Sequence, residues 1–406
     1  MAIALTAALV LAAALVVLPG PTTTPPRRFA HAQEFRRALP GYQFSFPRDH
    51  YAHPEFKTEW WYYTGHLATA KGERYGYQLT FFRVGVADEA PGGAGAAEGR
   101  KGAEASSPPR GERAIGQKGG GKGPASRWAI RQLYFAHLAV TDVGRRAFHH
   151  AERLSRGALG EAGASTEALR VWLGGWEVRG EGEVHHLVAD DGQIGLDLRL
   201  TPRKPPVVHG INGVSQKGEG EGFASHYYSL TRLQATGART VGGRRLAGTG
   251  SSWMDDEFGS SQLKESQVGW DWFGLQLTGD TELMLYRIRR QDGTPDPHSS
   301  GTLIHPDGRT EHLPLQAVKV EALGRWRSPR SGAVYPMGWR LSLPGHQGEL
   351  TVTPLVQDQE LDTPRSTRVT YWEGAVTVSG RLGGRTVTGT GYVELVGYAE
   401  RLRQRL

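Results

Sequence analysis

From Tyr51 to Arg83 the chain reads YAHPEFKTEWWYYTGHLATAKGERYGYQLTFFR, and no other stretch limits the fold so strongly. It carries seven Tyr or Trp and three Phe, whereas the whole chain is 9% aromatic. Read with period two, Glu59, Trp61 and Tyr63 fall on one face, and Trp60, Tyr62 and Thr64 on the other. Lys71-Gly72-Glu73 supplies a turn and Arg74 to Val84 a second strand, so the spacing predicts a β-hairpin with a bulky inner face. Two readings of that face stay open. It packs a core, with Glu59 a strand-end acid capped by an Arg, or it lines a ligand cavity in which Glu59 is a buried polar group and Trp61 and Tyr63 touch the ligand.

The rest of the chain keeps the strand rhythm. Trp128 to Val143, Leu169 to Val178, Val184 to Ala189, Ile194 to Pro202 and Phe223 to Leu233 all read as strands between Gly and Asp turns. Similar segments continue from Trp253 to Gly397, and only Ala399 to Leu406 reads as a short helix. The expected class is all-β, an antiparallel barrel or sandwich in two domains, 42–236 and 240–400. Gly237 to Gly250 reads as the linker, and the halves meet near residue 240. Residues 88–126 hold no aromatic side chain and read as a disordered Gly-rich insertion. Within it, Gly116 to Gly123 nearly spells a phosphate-binding loop, but Gly123 stands where Ser or Thr is required and no strand precedes it.

Ala2 to Leu18 is an uncharged apolar run broken by Pro19-Gly20-Pro21, with Ala30-His31-Ala32 as a cleavage site downstream. A signal peptide over 1–32 is expected, with a retained N-terminal anchor as the rival; either puts the bulk of the protein in the periplasm or outside the cell. The chain has no cysteine, which excludes disulfides, thiolate metal sites and thiol nucleophiles. The net charge of +7 is spread along the chain, so nucleic acid is not an expected partner, while peripheral association with an anionic membrane surface is.

Chemistry concentrates in Ser252-Trp253-Met254-Asp255-Asp256-Glu257-Phe258-Gly259 and Gly269-Trp270-Asp271-Trp272-Phe273. In an extended chain Trp253, Asp255 and Glu257 share a face and Asp256 points away. These acids form an acidic turn paired with Arg, or place a carboxyl in an apolar pocket, protonated and able to act as a general acid. Trp270 and Trp272 join Glu257 as expected ligand contacts. His226 lies in Ser225-His226-Tyr227-Tyr228-Ser229, either as a structural histidine or as part of the site. Tyr371-Trp372-Glu373 and Tyr392-Val393-Glu394 repeat the pairing of aromatic and acid. No HExxH, G-x-S-x-G or strand-linked G-x-G-x-x-G is present, so neither a metal nor a nicotinamide cofactor is expected.

HPEFKTEWWYYTGHL, YGYQLTFFR, GWDWFGLQL, ELMLYRIR, YWEGAV and GYVELVGY, in this order, resemble the carotenoid 1,2-hydratase (hydroxyneurosporene synthase)-like proteins. That group includes exported attachment-protein H-like members labelled secreted hydrolases. The resemblance spans about residues 42–400 outside the insertion. It implies two packed lipocalin-like β-barrels and a hydro-lyase that adds water to an isolated C=C bond of a large apolar isoprenoid without a cofactor. It further implies Asp255 as proton donor, with Trp253, His226 and Tyr228 as the other catalytic residues. Trp253 stands where the hydratase motif has Tyr, and Tyr228 where it has Trp. A non-catalytic envelope carrier of a lipid or isoprenoid is the alternative, and a hydrolase the third reading.

Overall fold

The computed structural model describes residues 35–86, 130–260 and 263–401. The expected leader over 1–32, the whole 88–126 insertion and the end of the expected terminal helix lie outside these residues. Ala399 to Arg401 carries no helix.

The described chain is built from antiparallel strands in two large sheets and one two-stranded ribbon. In the first sheet the order runs Ala147–Ser155, Gln132–Asp142, Arg74–Gly85, Thr58–Ala68, Arg244–Gly259, Ala224–Val241, Ile194–Pro202, and on to Ala162–Ala164. Strands from opposite ends of this order touch, so the sheet curls into a nearly closed barrel. Trp61, Tyr63, Leu79, Leu138, Leu198, Tyr228 and Met254 fill its interior. The second sheet is a half-barrel around Phe273, Leu285, Trp339, Trp372 and Val393. Two packed lipocalin-like barrels are therefore the observed architecture, as the resemblance implies; the strand rhythm by itself leaves barrel and sandwich open.

The division near residue 240 needs correction. Gly237 to Gly250 is no linker but the outer part of a long hairpin, Ala224–Val241 and Arg244–Gly259, and both of its strands belong to the first sheet. Gly242 and Gly243 close it with φ of +55° and +72°, a left-handed pair that glycine adopts without strain and that matches the twist of a two-residue hairpin turn. The first barrel thus runs on to Gly259, and Gln267–Leu277 opens the second.

Pleating decides which side chains meet between the barrels. On each central strand alternate residues enter a barrel core and the rest face the other barrel. Tyr62, Tyr227 and Trp253 from the first sheet meet Trp272, Met284, Tyr286, Ile288 and Tyr392 from the second. The sheets approach closely at Gly76, where an added Cβ would lie 2.6 Å from both the Ala375 Cβ and the Tyr392 hydroxyl. Hydrogen bonds cross the same surface: His66 Nε2 to the Gly391 carbonyl at 2.8 Å, and Gln276 Nε2 to the Thr231 and Ser252 carbonyls, each at 2.8 Å.

Candidate active site

Between the barrels lies a cavity of about 260 Å³ whose walls include Trp60, Tyr62, Tyr227, Trp270, Trp272 and Tyr286. Its acidic and basic lining includes Asp255 and Glu257 from the long hairpin, Glu394 from the last strand and Lys217 from the loop region before Ala224, beside Glu59 and Arg83 of the first hairpin. Asp255 is 4% exposed. Its Oδ2 accepts from the Tyr227 hydroxyl at 2.8 Å, and its Oδ1 from Trp253 Nε1 at 2.6 Å and from the Ser229 hydroxyl. Burial pushes this carboxyl up to about 7 and outweighs the three hydrogen bonds, which favour the ionised form. Tyr227 is held in turn by Trp272 Nε1, which donates to its hydroxyl oxygen at 3.0 Å.

Glu394 forms the opposite wall. Trp270 Nε1 donates to its Oε2 at 2.8 Å, and burial pushes it, too, up to about 7, with the charges of Asp255 and Glu257 adding to the effect. Glu373 stands directly across from Glu394 in the strand register, on the same face. It accepts from the Tyr62 hydroxyl at 2.6 Å, and burial followed by the Glu394 charge drives it well above the usual carboxylate range. Its Oε2 is buried without a partner among the described residues. Lys217 Nζ sits 3.1 Å from Glu257 and 3.8 Å from the centre of the Tyr286 ring. Burial lowers Lys217, but Glu257 outweighs it and the amine is raised and stays charged. No group of three or more His, Asp or Glu among the described residues could hold a metal ion.

The expected site residues divide by face. Asp255, Glu257, Trp270 and Trp272 border the cavity, and Trp253 backs it through the hydrogen bond to Asp255. His226 and Tyr228 do not reach Asp255. His226 donates from Nδ1 to the Gly213 carbonyl at 2.7 Å and stacks on Tyr42, while Tyr228 donates to Asp256 at 3.2 Å inside the first barrel. The cause is a β-bulge between Leu230 and Leu233. Beyond it the pairing slips by one residue, so Asp255 stands opposite Ser229 instead of Leu230, and odd-numbered residues take the cavity face. Without the bulge His226 and Tyr228 would share the face of Asp255.

The first hairpin also reverses the expectation. Trp61 and Tyr63 are core residues, Trp61 donating to the His50 carbonyl at 3.2 Å and Tyr63 bonded to His185 at 2.9 Å. Trp60 and Tyr62 take the cavity wall in their place. Glu59 borders the cavity, but its carboxylate is occupied: Arg83 Nε at 3.0 Å, His53 Nδ1 at 2.6 Å and the His53 amide at 3.0 Å satisfy it. This is the Arg-capped acid of the structural reading. The sequence reading did not single out Tyr227, Ser229, Lys217 or His209. Tyr227 and Ser229 flank the named pair, and only the bulge decides between them.

Comparison with known proteins agrees with this architecture. A curated relative, kievitone hydratase of Fusarium solani subsp. phaseoli, is 22% identical over 212 residues, which is 51% of this chain. The match spans 58% of that enzyme, little more than half its length. The crystal structure of kievitone hydratase from Nectria haematococca superposes with a TM-score of 0.63 over 90% of this chain and 99% of that one, at 16% identity, a likeness of fold. The crystal structure of an AttH from Nitrosomonas europaea superposes with a TM-score of 0.74 at 31% identity, covering 89% of this chain and 99% of that one. The AttH-like family model matches residues 37–103 and 111–398, and the chain belongs to the AttH-like family.

Proposed function

We propose that the chain is a hydro-lyase that adds water to an isolated C=C bond of a large apolar molecule, or removes it, by acid catalysis in the cavity between the barrels. The observation that carries this reading is Asp255, a buried carboxyl held near pH 7 in a wall of aromatic rings. Below that pH it is protonated and faces an apolar space, the state a general acid for an alkene needs. It donates its proton to the less substituted alkene carbon. The faces of Trp272 and Tyr227 stabilise the cation left on the other carbon. Water attacks that carbon, and Glu394 in its ionised form takes the water's proton. Two carboxyls with pKa values near 7 divide the acid and base roles between them. The relatedness to kievitone hydratase supports the reaction class, and the cavity walls support an apolar ligand.

The natural site of action is proposed to lie outside the cytoplasm, supported by the apolar run from Ala2 to Leu18. A carrier that binds without turnover is the second reading, favoured by the three donors that already occupy Asp255. Incubation with kievitone and with prenylated phenols and linear isoprenoids in ¹⁸O-water separates the two. A product heavier by one labelled water, absent with Asp255→Asn, is expected of the enzyme. Retention of ligand without product in both proteins contradicts it.

A further inference from the structure

If Asp255 spends its proton on the substrate, it must regain one before the next turnover. The structure shows a polar path on the side away from the cavity. The Ser229 hydroxyl touches Asp255 Oδ1 and lies 2.7 Å from His209 Nε2. His209 Nδ1 lies 2.8 Å from the Thr302 hydroxyl of the second barrel. Ser229 and His209 are fully buried and Thr302 is 3% exposed. Thr302 stands directly opposite His312 in the strand register, and His312 is only half-buried. Its Nδ1 is buried and has no hydrogen-bond partner among the described residues. Neither His209 nor Thr302 borders the cavity, although the His209 ring lies 4.3 Å from that of Tyr227 behind its wall.

We propose that Ser229, His209 and Thr302 form a proton relay that reloads Asp255 from the His312 side of the second barrel while substrate occupies the cavity. The proposal rests on the reading of Asp255 as the acid. The step balances as an exchange along the chain. Ser229 passes its hydroxyl proton to Asp255 and takes the Nε2 proton of His209. His209 takes the Thr302 hydroxyl proton on Nδ1, and Thr302 is refilled from solvent at His312. One proton enters, one reaches Asp255, and no relay member changes its charge. Burial pushes His209 down to about 3, which suits a neutral imidazole working by tautomer exchange. The hydroxyls and the tautomer then reset for the next cycle. These three are positioning residues that act through Asp255, since none borders the cavity.

The test needs no substrate. Because the chain has no cysteine, Leu263→Cys places a single thiol in the cavity wall, and alkylation with N-benzylmaleimide plugs the cavity, with occupancy read by mass. The C=O stretch of protonated Asp255, assigned by its loss in Asp255→Asn, is followed by infrared spectroscopy at about pH 6 after a jump into D₂O. In the plugged protein the band is expected to shift to its deuterated position nearly as fast as in the open one. Ser229→Ala or His209→Gln in the plugged background is expected to slow this by about a hundredfold, the low end of what a positioned proton-transfer group contributes. His209→Gln keeps hydrogen-bonding groups for both neighbours, so a merely structural histidine would leave the rate unchanged. An unchanged rate in His209→Gln, or a plugged parent that already stalls, overturns the relay and leaves the acid in place. Absence of the band in the parent removes the acid itself, and the relay with it.

Discussion

At the residue scale the site turns on one competition, between burial and hydrogen bonding at Asp255. Three donors pull its pKa down and the loss of water pushes it up further. A carboxyl whose pKa is raised on folding binds more protons in the folded state, so it costs stability as pH rises from about 4 through about 7. Asp255→Asn is therefore expected to abolish hydration and yet to raise the unfolding free energy at about pH 8 by on the order of a few kcal/mol. Urea melts of both proteins at acidic and alkaline pH check this. Tyr227→Phe removes a donor that favours the ionised form, so the alkaline limb of the hydration pH profile is expected to move upward. Tyr228→Phe, on the far side of the strand, is expected to leave that profile in place.

At the scale of the element, the first hairpin and the long hairpin each carry buried polar groups on both faces. On the inner face, Glu59, His53 and Arg83 tie the segment before the first strand to the barrel. Burial lowers His53, but Glu59 and Asp49 outweigh it and raise it to about 9. The stability it contributes is complete below its unfolded value of 6.5 and is lost as pH rises through about 9. Removing one partner leaves buried charge unpaired, so Glu59→Ala is expected to destabilise by about 3–5 kcal/mol. Thermal melts should show that loss while any hydration activity keeps its pH profile. The strands and their alternation were legible from Trp60, Trp61, Tyr62 and Tyr63, because period two is a local property. Which face meets a barrel core was not, since both faces are aromatic and both are buried. His226 and Tyr228 show the sharper limit. A single extra residue near Thr231 reverses the face of everything before it, and nothing in Leu230-Thr231-Arg232-Leu233 marks a bulge.

At the scale of the molecule, the cavity exists because two barrels press their outer faces together around a few large aromatics. Two β-domains could be read from the strand rhythm and barrels from the resemblance, but the pairing of Tyr62 with Glu373 or of His209 with Thr302 joins residues far apart in the chain and has no local signature. The recurring aromatic-acid pairs around Glu373 and Glu394 were its one trace in the sequence. The close approach at Gly76 makes the interface testable. Gly76→Val would force the sheets apart against Ala375 and Tyr392, with an expected cost of about 1–3 kcal/mol. Loss of ligand binding in that variant, read by isothermal calorimetry against a folded control, would confirm that the joint between the barrels shapes the cavity.

The most direct measurement is the titration of Asp255 itself. The ¹³C NMR signal of its side-chain carboxyl in protein labelled at aspartate Cγ, assigned by its absence from Asp255→Asn, is expected to titrate with a midpoint near 7. A midpoint below about 5, in the ordinary carboxylate range, would mean that Asp255 is ionised at neutral pH and cannot be the acid on which the reaction depends.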